Sequence, residues 1–223
     1  MRALVVGAGP GLSASFARQL AGAGYQVALA ARRTEKLGAL AGEIGASVHA
    51  CDAVDAGSVA GLFEAVPDAD VVMFNASYRV GGPFLELDAG EVERTVRVSA
   101  FAGFLVAQAA ARGMVARGKG TIVLTGASAS VKGYAQSAPF AMGKFALRGM
   151  AQSMARELHP KGVHVVHVVV DGGIRSAARV DPAERPDSLL DPDAIAETVM
   201  GMVRQPRSCW TDEIAVRPWV ERF

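Results

Sequence analysis

Short runs rich in Val, Ile and Leu recur along the chain at Ala3–Val6, Gln26–Ala30, Val71–Phe74, Thr121–Thr125 and Val163–Val170. None alternates strictly between apolar and polar positions, so each reads as a parallel strand covered on both faces. Between them, Leu12–Ala23, Glu35–Ile44, Val59–Val66, Glu91–Arg117 and Phe140–Leu158 carry helix-compatible patterns. Strands alternating with helices give a parallel sheet with right-handed crossovers. The fold class expected is α/β: a single Rossmann-type, doubly wound parallel β-sheet flanked by helices on both faces, with residues 1–223 as one domain. A helix-like Ala194–Arg204 and a short Glu213–Val216 segment add a last unit and an edge strand. The stretch from Gly172 to Pro192, with Pro182 and Pro186 inside it, is the most irregular. It follows a strand at the carboxyl edge, where open α/β sheets bind ligands, and is expected to be a mobile substrate lid.

Composition narrows the partners more than the fold. Apolar residues make up 51% and charged residues 20%, and the formal net charge is +1. That balance supports a core and excludes a generally basic nucleic-acid surface. Cys51 and Cys209 are too few for a disulfide framework or a cysteine-based metal site. The N-terminal apolar stretch holds three glycines and a proline and lacks a basic lead-in beyond Arg2, unlike a signal peptide. No apolar run is expected to reach the roughly 20 residues of a membrane helix, so a soluble, cytoplasmic protein without nucleic-acid or membrane partners is expected.

The chemistry starts at Val6–Gly7–Ala8–Gly9–Pro10–Gly11–Leu12–Ser13, which closes the first strand and opens a helix. Glycines permit a tight turn and let the backbone approach a pyrophosphate, whose charge then sits at the positive helix N-terminus. The position between strand and helix in the first βα unit is what gives the motif meaning. Gly7, Gly9, Gly11 and Leu12 are therefore the first candidate dinucleotide-binding residues. The second strand ends at Ala31–Arg32–Arg33 with no carboxylate for a ribose hydroxyl. Guanidinium groups pair with phosphate through a planar fork, so Arg32 and Arg33 favour NADP(H) over NAD(H). The alternative is that both are solvated, with Glu35 as a local partner.

These features, taken over nearly the whole chain, resemble the short-chain dehydrogenase/reductase family. Gly7–x–x–x–Gly11–x–Ser13 is similar to the family's Gly-x-x-x-Gly-x-Gly, with Ser13 at the last glycine. Cys51–Asp52 resembles the acidic position after the third strand, which implies that Asp52 meets the adenine ring. Phe74–Asn75–Ala76–Ser77 is similar to the Asn-Asn-Ala-Gly after the fourth strand, adding Asn75 and Ala76 to the cofactor set. Asp171–Gly172–Gly173–Ile174 stands where the family has Pro-Gly-x-x. The resemblance implies that Gly172, Ile174 and Ser176 lie about the nicotinamide.

The family's catalytic pair is Tyr-x-x-x-Lys on one helix, with an upstream Ser and a supporting Asn. The tyrosine exchanges a proton with the substrate oxygen, while the lysine holds the ribose and lowers the tyrosine pKa. Here the lysine position is Lys144, and the tyrosine position is Phe140, whose ring has no proton to give. Ala127 takes the serine position, with Ser128 adjacent, and the Asn falls at Ser99. Lys144 and Ser128 are the candidate catalytic residues. Tyr134 and Tyr78 are the phenols near enough in sequence to stand in, although a pocket-lining or subunit-contact role is the simpler reading. His164 and His167 read as packing or hydrogen-bonded residues, His159 as a helix C-terminal residue favoured by the dipole, and Met142, Met150 and Met154 as core filler. The two long helices are apolar on more than one face, and the resemblance implies that they join two subunits in a homodimer or homotetramer. The aromatics of 217–223 are expected to cover a neighbouring subunit or the sheet edge. The expected function is NADP(H)-dependent hydride transfer to or from a small carbonyl, alcohol or other activated substrate. A non-catalytic NADP(H) sensor or partner subunit, or a redox-neutral enzyme using the same cleft, is the alternative.

Overall fold

The computed structural model describes residues 1–221. Seven strands form one fully parallel sheet: β1 (Arg2–Val6), β2 (Gln26–Ala31), β3 (Ser47–Ala50), β4 (Val71–Phe74), β5 (Gly120–Thr125), β6 (Val163–Val170) and β7 (Glu213–Val216). Their order is β3-β2-β1-β4-β5-β6-β7, which reverses direction between β1 and β4. The α/β doubly wound sheet read from the hydrophobic pattern is the fold observed.

Both faces of the sheet are dry because each central strand sends alternate side chains to opposite cores. Leu4 and Val6 of β1 pack with α3 (Ala56–Ala65), α5 (Ala102–Arg117) and α6 (Ala138–Leu158). Ala3 and Val5 pack with α1 (Leu12–Gly22), α2 (Gly38–Ile44) and α7 (Pro192–Val203). β6 is buried at all eight positions, which is why its sequence reads VHVVHVVV without alternation. Fully burying one Val, Leu or Phe side chain contributes about 1.5–3 kcal/mol, so these two layers hold the strand ends in place.

Four local features depart from the expectations. β3 carries no apolar run; as the edge strand it leaves Val48 37% exposed, so the pattern had little burial to record. The third helix starts at Ala56 rather than Val59, because the Asp55 carboxylate accepts from Ser58 N–H and caps it there. The 91–117 helix is interrupted: α4 (Ala89–Val96) passes into a π-helical turn at Arg97–Phe101 before α5. Finally, Ala89–Arg117, taken with its π-helical turn as one helix, is long and apolar enough by length and composition alone to cross a membrane, a length the apolar pattern did not suggest. One side of it lies on the sheet, where Ala102, Val106, Ala110 and Met114 are buried. Of the C-terminal aromatics, Trp219 donates its indole N–H to the Pro186 carbonyl, while Arg222 and Phe223 lie outside the described residues.

Candidate functional site

The reversal of strand order leaves a crevice at the carboxyl ends of β1 and β4, where a doubly wound sheet takes its ligand. Two adjoining clefts occupy it, with Pro10, Asn75 and Ser77 in the walls of both. The first, about 320 Å³, is lined by Gly7, Gly9, Arg32, Arg33, Asp52 and Ala76. The second, about 400 Å³, is lined by Gly11, Leu12, Ser128, Lys144, Gly172, Ile174 and Ser176. The structure thus brings the candidate cofactor residues, together with Lys144 and Ser128, to one continuous cleft.

The β1 turn is closed by geometry that only glycine permits. Gly7 has φ +80°, and a Cβ there would run into the Ala76 backbone of the β4 loop. Gly7 and Ala8 both donate to the Ala30 carbonyl, and Asn75 N–H donates to Val6. These bonds fasten the three loops together. Ser13, in place of the family's third glycine, is buried; its hydroxyl accepts from Gly9 N–H and donates to the Gly9 carbonyl, each at 3.0 Å. The first turn of α1 carries no acidic side chain, so its positive end is open to an anion.

Arg32 and Arg33 are exposed at the end of β2, and among the described residues neither forms an ion pair with Glu35 or any other carboxylate. Lys36, which the sequence reading passed over, joins them in the same wall. Its position four residues after Arg32, on the turn leading into α2, was the available signal.

At the other end, Lys144 is only 3% exposed and donates to the Thr125 carbonyl at 2.7 Å. Burial pushes its ammonium pKa down to about 8, because the charged form loses water. Phe140 lies one helical turn before it, with Lys144 Nζ 5.8 Å from the ring centroid. Arg79 Cζ stands 5.3 Å from the same ring centroid. Arg79, Arg175 and Arg179 also line this cleft and were not foreseen. Arg79 lies four residues beyond Asn75, in a loop whose course no motif marks.

Neither candidate phenol enters the cleft. Tyr78 turns away to donate to Glu91 Oε2 at 2.6 Å, under the Arg94 guanidinium. That hydrogen bond to a carboxylate raises the phenol pKa, which suits anchoring better than proton transfer. Tyr134 is exposed beside Lys132, outside both cleft linings. Ser128 is half-buried in the wall, whereas buried Ser130 accepts from Ala127 N–H and tightens the turn behind it. Ser99 sits in the π-helical turn, fully buried, and its hydroxyl bridges Tyr78 N–H and C=O at 3.4 Å. Gly143 lets α6 come this close: a Cβ there would be 2.8 Å from Ser99 Cβ.

The histidines are structural in their contacts. His167 Nδ1 lies 3.0 Å from Glu213, which Arg148 holds through two bonds of 2.7 Å. Burial pushes the His167 pKa down, against the pull of Glu213. His164 stacks on Trp210 with centroids 4.8 Å apart. The 172–192 segment folds over the second cleft, with Arg175 paired to Asp181, Asp187 and Asp191.

The donor set fits a nicotinamide dinucleotide along its length: cations at one end, a glycine turn with a helix N-terminus in the middle, and a buried lysine at the other. Comparison with known proteins agrees. The family described as short chain dehydrogenase matches residues 1–185. L-xylulose reductase of Bos taurus is 32% identical over 85% of this chain and 80% of its own. Glycine betaine reductase of Emericella nidulans is 29% identical over 97% of this chain, which spans only 18% of that longer protein. A metagenomic short-chain oxidoreductase solved in complex with NADP is 30% identical, with a TM-score of 0.84 over 99% of this chain and 98% of that one. The fold, the cleft and these matches place the chain in the short-chain dehydrogenase/reductase family.

Proposed function

We propose that the chain, acting as one dinucleotide-binding unit, is an NADPH-dependent oxidoreductase of atypical site chemistry. The observation that carries this reading is the asymmetric cleft, with Arg32, Arg33 and Lys36 at one end and buried Lys144 at the other. The three cations suit a 2′-phosphate. Asp52 lines the adenine end, Gly7, Gly9, Gly11 and Leu12 present backbone to the pyrophosphate, and Asn75 and Ala76 line the middle. Gly172, Ile174 and Ser176 border the nicotinamide. When bound, NADPH would supply a hydride for a carbonyl carbon, and this chain's part would be to bring a proton to the oxygen. Lys144 holds the ribose, and with a pKa near 8 it also holds a proton that can be released near neutrality. Ser128 offers a hydroxyl to the substrate oxygen from the cleft wall. The relative solved with NADP supports the choice of cofactor.

Phe140 favours a second reading. With both phenols turned away, an NADP(H)-binding sensor or partner subunit, or a redox-neutral enzyme, uses the same cleft without needing the acid. Titration of NADPH and NADH by nucleotide fluorescence, followed by a carbonyl and imine panel monitored for NADPH oxidation, separates the readings. Tight NADPH binding with turnover supports the oxidoreductase. Binding without turnover supports the second reading, and no binding of either nucleotide refutes both.

Exposed Phe101, Phe104, Met142 and Phe145 on the long helices support a homodimer or homotetramer, checked by sedimentation. The free thiols of Cys51 and Cys209 support a reducing, cytoplasmic setting.

A further inference from the structure

The second cleft carries a charge pattern that hydride transfer does not require. Among the described residues, four cationic side chains, Arg79, Lys144, Arg175 and Arg179, line it, and no carboxylate does. Lys144 donates to the Thr125 carbonyl and is taken by the ribose in the reading above, and Arg175 is paired with three aspartates of the 172–192 segment. Elsewhere Arg18, Arg94, Arg117 and Arg148 each meet a carboxylate. Arg79 and Arg179 meet none among the described residues. Arg79 is exposed on the β4 loop and confined to the second cleft, away from the basic cluster of the first. Its guanidinium stands 5.3 Å from the ring of Phe140, the residue whose position resembles that of the family's proton donor.

We infer that the substrate carries an oxyanion group, a carboxylate or a phosphate, beside its reacting carbon, and that Arg79 binds it. A planar guanidinium pairs with either group through two parallel N–H···O bonds, and the aromatic face beneath fixes the plane of the fork. The absence of acidic side chains from the lining means that an arriving anion displaces only water. The inference rests on the oxidoreductase reading for the word substrate, but the anion site itself is testable without the cofactor.

The test uses matched pairs that differ only in charge. One arm takes α-, β- and γ-oxo acids against their primary amides; the other takes dihydroxyacetone phosphate against dihydroxyacetone. Each is titrated into the full chain, with and without saturating NADPH, by saturation-transfer NMR. At least one anion is expected to bind about tenfold tighter than its neutral twin, a preference that falls below about threefold in Arg79→Gln. Arg79→Gln is expected to change NADPH affinity by less than about twofold. The arm that carries the preference distinguishes a carboxylate from a phosphate. Equal or undetectable binding of every pair to the native chain overturns the inference. So does a preference that survives Arg79→Gln, or an equal loss of NADPH affinity in that variant. A native chain that prefers the anions but binds neither nucleotide refutes the oxidoreductase reading while the anion site stands.

Discussion

The two ends of the cleft rise from the same sheet edge yet are built on different principles. At the basic end, function resides in backbone: a glycine turn, a helix N-terminus and loop amides, with side chains of positive charge placed about them. At the Lys144 end, the proposed function depends on a few side-chain atoms, and there the resemblance to the family implies departures at Phe140, Ala127 and Ser99 with Lys144 kept. Backbone sites are hard to lose one residue at a time because every strand and loop contact enforces them. A phenol can be lost by removing one oxygen, and the ring that remains packs as before. The difference implies that, on the reading proposed above, binding of a dinucleotide and use of it can be separated by experiment.

The largest test of that separation restores the missing oxygen. Phe140→Tyr puts a phenol one helical turn from Lys144, whose charge lowers its pKa. NADPH-dependent carbonyl reduction is expected to rise by about 10²–10⁴-fold, the usual contribution of a positioned acid, read from NADPH absorbance. A variant that binds NADPH normally and stays inert would show that Ala127 and Ser99 matter as much as Phe140.

The opposite end is broken through its backbone. Gly7→Val forces a β-branched residue to φ +80° and drives its side chain into Ala76. A loss of roughly 3 kcal/mol in unfolding free energy is expected, together with loss of NADPH binding. Normal stability with normal binding would mean that the turn relaxes and that closure against the β4 loop is dispensable.

Lys144 sharpens the comparison through pH. Its pKa is about 8 in the folded chain and near 10.5 when solvated. Below pH 8 both states carry the proton, and the folded state bears the full cost of burying it. Between 8 and 10.5 the folded chain has released the proton while the unfolded chain retains it, so raising the pH favours folding. The nucleotide-free protein is expected to gain about 3 kcal/mol over that window relative to Lys144→Met. Equal pH profiles for the two proteins, measured by urea unfolding, would show that the ammonium is hydrated in place.

What could be read from the chain follows the same division. The buried strands and the glycine turn were legible because burial on both faces and positive φ leave direct marks on residue type. β3 was not, since an edge strand with Val48 partly in water has no need of an apolar run. The π-helical turn left no mark either, because Arg97–Phe101 continues the helical pattern and the change lies in backbone register. Tyr78 and Tyr134 were placed near the site by sequence distance, but the direction of a side chain in a loop depends on partners such as Glu91, thirteen residues on. Arg79 and Lys36 were missed for that reason too: only the folded loops show which cations share a wall.

The smallest effect concerns which nucleotide the basic end prefers. Arg32 has no carboxylate partner among the described residues, so removing its charge leaves no buried group unpaired and should not disturb the fold. Its exposure also allows water and salt to screen it, which limits what one guanidinium can contribute to a phosphate. Arg33 and Lys36 remain in the wall and compensate in part. Arg32→Ala is therefore expected to weaken NADPH by about tenfold and NADH by less than about twofold, measured by fluorescence titration at fixed ionic strength. The NADPH effect should shrink as salt is raised, because it is a charge effect at an exposed site. Equal losses for both nucleotides would place Arg32 on a part that they share, and the preference would then rest on Arg33 and Lys36.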